Sequence, residues 1–237
     1  MKKLTSLFVL IALVCMLPAC DVLKEVGNSV LSEPSLDEIG RGLKEALSKG
    51  ATKGASQLSV RDGFYRSIYK ILLPDDVRRV TDKLKSVPGF TNIETELLEK
   101  MNHGAEDAAK EAGPIFLSAI QQMTIKDATN ILMGADNSAT VYLQNTTSTQ
   151  LYSKFNPKIV ASLDKIGANS LWKKAADTYN KLPFVTKVTN DLDDYVTNQA
   201  LKGLFGKVGE EEKNIRNNKL ARTSELLKKV FAKQDSK

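Results

Sequence analysis

Three residues whose side chains could bind a metal ion or move a proton lie at helical spacing: Glu99, His103 and Glu106. Separations of four and three residues place them on one face of a helix. Two carboxylates and an imidazole could bind one metal ion there. A di-iron bundle is excluded because it requires two Glu-x-x-His units, and the chain has 1 His. The alternative is a solvated charged face, and we assign no metal and no cofactor.

A second polar cluster surrounds Gly134, between two apolar stretches. It consists of Asp127, Asn130, Asp136, Asn137 and Thr140. Such residues need hydrogen-bond partners if they are buried, and together with Glu106 they could line a polar pocket. The alternative is that they cap helices and hold a helix–turn–helix corner. For an enzyme, Asp127 and Glu106 would be the first residues to replace by alanine.

The motifs of common catalytic and phosphate-binding sites are missing from the sequence. No GxSxG, GxxxxGK[ST], GxGxxG, HExxH or EF-hand spacing occurs. With 2 Cys the chain has neither a disulfide framework nor a cysteine-rich zinc site. A Ser-His-Asp triad would have to use His103, and nothing in the sequence places a serine beside it. We therefore name no catalytic residue and lean towards a protein that is not an enzyme.

The composition is that of an ordinary globular protein, with 42% hydrophobic and 26% charged residues and a net charge of +6. Basic residues outnumber acidic ones in the tail that starts at Lys202. Such a tail could attract anionic lipid headgroups or an acidic protein partner; the alternative is a solubilising surface. Nucleic acid is not expected as a partner of an exported chain without a binding motif.

The N-terminus has the pattern of a secretory signal peptide. Lys2 and Lys3 precede an apolar run over residues 7–17, which is shorter than the about 20 residues of a membrane-spanning helix. The run ends in Leu17-Pro18-Ala19-Cys20, which resembles the lipobox of bacterial lipoproteins. This resemblance implies cleavage before Cys20 and attachment of fatty acyl chains such as palmitate to that residue. An ordinary signal peptide with a chance cysteine is the alternative.

These signals divide the chain into four expected segments. They are a lipoprotein signal peptide (1–19), a lipidated tether (20–34), a single all-helical domain (35–232) and a frayed basic tail (233–237). Two or three acyl chains form a durable anchor. The expected location is the bacterial cell envelope, on a membrane and facing the periplasm or the exterior. The choice between inner and outer membrane stays open.

Beyond residue 34 the apolar residues recur at helical spacing, with prolines and glycines at the boundaries. The pattern predicts an all-α domain, an irregular multi-helix bundle of about eight to ten short helices. Capping boxes are predicted at Ser35, Thr91 and Thr124. Asp136 is predicted to cap the following helix, and Asn156-Pro157 to begin another.

Two stretches leave alternatives open. Asp62–Pro74 fits either a helix or a short strand. Ala46, Gly50 and Gly54 lie four residues apart, so this line of small residues either lets another backbone approach closely or marks the early end of a helix.

Four stretches carry a family resemblance: Leu36–Leu47, Met101–Glu106, Met123–Ala128 with Ile131–Gly134, and Glu211–Thr223. Together they resemble an uncharacterised bacterial family catalogued as domain of unknown function 4197. The resemblance implies a secreted, often lipid-anchored, helical protein and supplies no activity, ligand or catalytic residue. His103-Gly104 stands where the resemblance leads us to expect Arg-Ala, which makes His103 a weak choice for an essential group.

Two functions are therefore considered. The leading hypothesis is a lipid-anchored envelope protein that acts as a non-enzymatic binding or scaffold module, held at the membrane by acylated Cys20. The alternative is a binder or enzyme for a small amphipathic envelope ligand in a cleft between helices.

Overall fold

The computed structural model describes residues 33–188, 191–232 and 235. The predicted signal peptide, Cys20, nearly all of the tether and most of the basic tail lie outside these residues. What the sequence predicts for them stays a prediction.

Helices form the whole regular structure of the described ranges, with nine α-helices and no strand. The helices are α1 (Leu36–Leu58), α2 (Asp75–Leu84), α3 (Ile93–Ala109), α4 (Ala112–Gln122), α5 (Ile125–Met133), α6 (Ser138–Lys165), α7 (Ala168–Tyr179), α8 (Asp193–Asn217) and α9 (Glu225–Phe231), with a 3₁₀ turn at Lys219–Ala221 before α9. The predicted all-α multi-helix fold is confirmed. No helix of the described ranges combines the length and the apolar character that crossing a membrane requires.

The core forms around three long helices, because α6 packs on α8 and α3 while α1 packs on α8, α4 and α5. Leu143, Leu151, Phe155, Ile159 and Leu163 of α6 are fully buried. Their spacing places them on one side of the helix. Each such side chain contributes roughly 1.5–3 kcal/mol when it leaves water, so α6 is held mainly by this apolar stripe.

The line of small residues on α1 is a contact surface and not a helix end. The helix continues beyond Gly54 to Leu58. A Cβ atom built at Gly54 would lie 3.5 Å from the backbone nitrogen of Val208, and one at Gly50 would lie 3.4 Å from Cβ of Glu211. The backbone of α8 therefore approaches α1 closely, as the first of the two alternatives requires.

The helix start predicted at Asn156-Pro157 is wrong, because Pro157 lies inside α6. Proline removes one hydrogen bond to the carbonyl four residues earlier, here that of Ser153. Ser153 and Pro157 are exposed, so water can reach the freed carbonyl. Burial of Phe155 and Ile159 on the opposite side keeps the helix continuous.

Two predicted caps are also wrong. The helix expected to start with a capping box at Thr91 starts at Ile93 after Asn92, whose side chain makes no capping bond. The residue before α6 is Asn137, again without a side-chain capping bond, and Asp136 lies one residue further out. The capping box at Thr124 is confirmed.

The ambiguous stretch Asp62–Pro74 is neither a helix nor a strand. It belongs to an irregular loop over residues 59–74, called the 59–74 loop below, which is built of turns. Its Phe64, Ile71 and Leu73 are buried in the core. Neither regular element forms, because backbone N–H groups of the loop bond to side chains of α3 instead.

The close contact between α1 and α9 gives a stability prediction. A Cβ atom at Gly42 would lie 2.7 Å from Cγ2 of the buried Val230, whereas one at Gly40 would meet only Ile125 at 3.6 Å. We expect Gly42→Ala to lower the free energy of unfolding by about 1–3 kcal/mol relative to Gly40→Ala, measured by urea denaturation. Both variants gain the same helix propensity, so equal stability would show that α9 does not pack as described.

Candidate functional site

The residues predicted to share a face of α3 do come together. Nδ1 of His103 lies 2.7 Å from Oε2 of Glu106, and its Nε2 lies 3.4 Å from Oε1 of Glu99. The side chains of Glu106 and His103 are 5% and 14% exposed, whereas that of Glu99 is about half exposed. The predicted alternative of a fully solvated charged face therefore describes Glu99 and not Glu106.

The second oxygen of Glu106 binds backbone. Oε1 accepts hydrogen bonds from the backbone N–H groups of Phe64 and Tyr65, at 3.1 and 3.2 Å. A carboxylate that accepts from two amides and faces an imidazole has its lone pairs largely in use. Glu106 thus joins α3 to the first half of the 59–74 loop.

Asn102 holds the second half of the same loop. Its Oδ1 accepts from the backbone N–H of Ile71 at 2.8 Å, and its Nδ2 donates to the Ile71 carbonyl at 2.9 Å and to that of Leu98 at 2.7 Å. Asn102 is fully buried. The Asn102 side chain thus bonds to both the N–H and the C=O of Ile71, and it replaces the partner that a neighbouring strand would supply. No pattern in the sequence singles out Asn102 for this role.

The 59–74 loop is also fixed from α8. Oη of Tyr195 donates to the carbonyl of Leu72 at 2.9 Å, and Oη of Tyr69 donates to Oε1 of Glu210 at 2.7 Å. Burial and the hydrogen bond to Glu210 raise the pKa of Tyr69, so its hydroxyl remains a donor. Contacts to two helices therefore define the backbone of this loop.

This fixed loop presents large aliphatic side chains to solvent. Ile68 is 84% exposed and Leu72 is 60% exposed, and Val60 is exposed nearby. Arg66 lies before Ile68 in the chain and Lys70 lies between Ile68 and Leu72. Arg66 pairs with Asp62, and Nζ of Lys70 lies 4.3 Å from the ring centroid of Tyr65. The surface is thus apolar with cationic groups beside it.

A wide groove of about 590 Å³ opens beside His103. It is lined by Ser59, Arg61, Glu96, Glu99, Lys100, His103, Glu106, Asp107, Lys110, Ser162 and Ile166. Charges of both signs meet there: Arg61 contacts Glu99 at 3.1 Å, and Lys110 contacts Asp107 at 2.7 Å. The hydrogen bond from Lys110 holds the pKa of Asp107 below its usual value. Within the described ranges, no three His, Cys, Asp or Glu side chains are placed to hold a metal ion.

The predicted polar cluster around Gly134 is spread over separate roles. Asp127 completes the capping box of α5: its Oδ2 accepts from the N–H and the hydroxyl of Thr124, at 3.0 and 2.7 Å. The hydroxyl bond lowers the pKa of Asp127. Asn130, Asp136 and Asn137 are exposed. Glu106 is not with them, since it faces the groove beside His103.

Thr140 bonds to Glu212, which forms a buried charge pair with Arg216 that was not predicted from the sequence. Oε2 of Glu212 accepts from the backbone N–H and the hydroxyl of Thr140 at 2.8 and 2.7 Å, and Oε1 accepts from the N–H of Ala139 at 2.9 Å. These amides lie in the first turn of α6. Glu212 of α8 therefore caps α6, where the helix dipole favours a negative charge.

Arg216 neutralises this carboxylate and caps the preceding helix. Its Nε donates to Oε1 of Glu212 at 3.0 Å, while Nη1 and Nη2 donate to the carbonyls of Leu132 and Ile131 at 3.2 and 2.8 Å. Those carbonyls lie in the last turn of α5, where the dipole favours a cation. The side chains of Glu212 and Arg216 are 4% and 2% exposed. Together they join the end of α5 and the start of α6 to α8.

Arg222 caps the C-terminal end of α8. It donates to the carbonyls of Ile215 and Arg216 at 3.1 and 2.7 Å and contacts Asp235 at 2.9 Å. Within the described residues every buried side-chain nitrogen and oxygen has a hydrogen-bond partner. Glu212 and Arg216 lie four residues apart on the helix face that also carries the apolar Val208 and Ile215, and this spacing is the signal that could have revealed the buried pair.

The cavities beside these groups differ in size. The space between α1 and the Glu212–Arg216 pair has a volume of about 20 Å³, which is room for about one water molecule. Thr140 also lines an open groove of about 480 Å³ between α6 and α8, with Gln144, Ser148 and Asn198. Asp127, Asn130, Asp136 and Asn137 do not line it.

The buried pair gives a stability prediction. Glu212→Gln leaves the guanidinium of Arg216 buried without its carboxylate, and we expect the free energy of unfolding to fall by about 3–5 kcal/mol. Asp177→Asn is the matched control, because Asp177 pairs with Lys173 on the surface at 3.1 Å, and its loss should cost less than about 1 kcal/mol. Similar small losses in urea denaturation of both variants would contradict the capping role.

The comparisons with known proteins give a family and no activity. No curated protein and no solved structure shows significant similarity to the chain. The family described as "Protein of unknown function (DUF4197)" matches residues 33–232, which is nearly the whole described domain. The chain therefore belongs to the DUF4197 family.

Proposed function

We propose that this chain is a lipid-anchored protein of the bacterial cell envelope that acts as a non-enzymatic binding module, with the 59–74 loop as its binding surface. The observation that carries the proposal is that this loop combines a fixed backbone with exposed aliphatic side chains. Buried Asn102 and Glu106 fix its backbone, while Ile68 and Leu72 point into solvent. A rigid surface loses little conformational entropy on binding.

The partner that fits this surface is a protein with an apolar pocket and acidic groups at its rim. Large exposed aliphatic side chains on a fixed backbone favour a protein-binding site. Arg61, Arg66 and Lys70 give the loop an excess of positive charge over Asp62. Their charges would complement acidic groups at the edge of the contact and speed the encounter.

The absence of a catalytic role is supported by the bonding of the buried polar groups. Asn102, Glu106, Glu212 and Arg216 each bind backbone groups of another segment. A general base needs a free lone pair within reach of a substrate proton. Glu106 directs its lone pairs at two amides and His103, and Glu212 directs its own at two amides, the Thr140 hydroxyl and Arg216.

The anchor is supported by the sequence Leu17-Pro18-Ala19-Cys20 after the basic and apolar start. We expect the wild-type chain to stay with membranes through a high-salt wash and to require detergent for release, because its acyl chains are buried in lipid. Cys20→Ser should appear in the soluble fraction after the same wash, which screens electrostatic contacts. Fractionation of cells that express each form tests this, and a Cys20→Ser chain that has lost its signal peptide and still needs detergent would contradict the anchor.

The binding surface is tested by photo-crosslinking in living cells. We expect a benzophenone amino acid at position 68 to give one discrete adduct with a protein. Leu220, an equally apolar and 91% exposed position, is the control site. Arg66→Glu should weaken the adduct severalfold, and Lys154→Glu, at an exposed lysine elsewhere, should not. The same set of adducts from positions 68 and 220 would contradict a specific surface.

A second candidate function rests on the groove beside His103. Its volume of about 590 Å³ is within the range of small-molecule sites, and its mixed charges suit a zwitterionic or amphipathic ligand. A small molecule that copurifies with the Cys20→Ser chain, seen by native mass spectrometry and lost in Glu99→Ala, would favour this function over the binding module.

A further inference from the structure

One further surface stands apart from both the 59–74 loop and the groove. It is the segment Lys181–Lys187 between α7 and α8, called the Phe184 loop below. Phe184 at its tip is fully exposed, and Leu182 is 40% exposed. Burial in the protein therefore does not explain why a phenylalanine occupies this position.

The backbone at Phe184 is in an unfavourable conformation. Its φ is +59°, in the left-handed region that bulky L-residues rarely adopt. Strained residues of this kind persist where the surrounding structure fixes them, and they concentrate at functional sites. Here the strain directs an aromatic side chain outwards.

The base of the Phe184 loop is closed by specific contacts. Asn180 pairs with both backbone groups of Val188: its Nδ2 donates to the carbonyl at 3.1 Å and its Oδ1 accepts from the N–H at 3.0 Å. The N–H of Leu182 donates to the carbonyl of Tyr179 at 2.9 Å. Val185 and Val188 pack against the core. The tip with Phe184 is thus held away from the body by a fixed base.

The charged side chains of the Phe184 loop itself have one sign. Lys181 and Lys187 are exposed, and no acidic residue occurs between Asp177 and Asp191. By contrast, several lysines of the C-terminal region are paired with carboxylates, for example Lys229 with Glu38 and Lys207 with Glu210. The Phe184 loop is therefore better suited to an anionic surface than these lysines of the C-terminal region.

From these observations we infer that the Phe184 loop inserts into the headgroup region of an anionic lipid bilayer. An aromatic ring next to lysines is the composition of membrane-interface segments. Phe184 and Leu182 enter the acyl boundary, and Lys181 and Lys187 contact anionic headgroups, which attract basic side chains near the surface. The inference agrees with the proposed anchor but does not depend on it, since the loop acts without acyl chains.

The test uses the mature chain with Cys20→Ser and vesicles of phosphatidylcholine with or without phosphatidylglycerol. We expect binding to the anionic vesicles that weakens with salt, and little binding to the neutral ones. Phe184→Ser should weaken binding about tenfold, the scale expected for one buried aromatic side chain. Leu220→Ser, which removes an exposed apolar residue elsewhere, should leave it unchanged.

Two further variants separate insertion from misfolding and from charge alone. Phe184→Gly removes the strain, so it should raise the thermal midpoint while it weakens vesicle binding. Phe184→Trp should show fluorescence that brominated lipids quench, against a constant signal from the buried Trp172. Equal binding by wild type and Phe184→Ser, or no quenching at position 184, would overturn the inference. Release of the Cys20→Ser chain from the membrane in cells would not overturn the inference, because that result concerns only the acyl anchor.

Discussion

The buried pair of Glu212 and Arg216 is the interaction on which the arrangement of the central helices depends. One carboxylate and one guanidinium meet the ends of two other helices: Glu212 accepts hydrogen bonds from amides in the first turn of α6, and Arg216 donates to carbonyls in the last turn of α5. Each charge lies where a helix dipole favours it and each is neutralised by the other. The corner between α5 and α6 is thereby fixed against α8, which in turn packs on α1 through Gly50 and Gly54.

Buried polar side chains of α3 also bond to the backbone of another segment, but that segment is an irregular loop and not a helix end. Asn102 and Glu106 supply hydrogen bonds that the irregular 59–74 loop cannot make within itself. Polar side chains buried in this way fix a unique backbone, provided that all of their bonds are satisfied. The loop can therefore keep Phe64, Ile71 and Leu73 in the core and still present Ile68 and Leu72 to solvent. Fold stability and a fixed outer surface come from the same contacts.

Features of the fold that arise from neighbouring residues could be predicted from the sequence, and those that arise from distant residues could not. The capping box of Thr124 and Asp127 lies within four residues, and helical spacing revealed the all-α class. The role of Glu212 depends on amides more than seventy positions away, so the prediction gave the cap of α6 to Asp136. Pro157 predicted a helix start by its local preference, and tertiary burial of Phe155 overrode it.

Buried side chains of α3 hold the 59–74 loop as a fixed surface. Hydrogen exchange of the mature Cys20→Ser chain measures this directly, because exchange reports the free energy of local opening. The amides of Phe64, Tyr65 and Ile71 should be protected to the same degree as the amides in the middle of α3. Exchange of these three amides at the rate of an unstructured peptide, with α3 still protected, would contradict the claim.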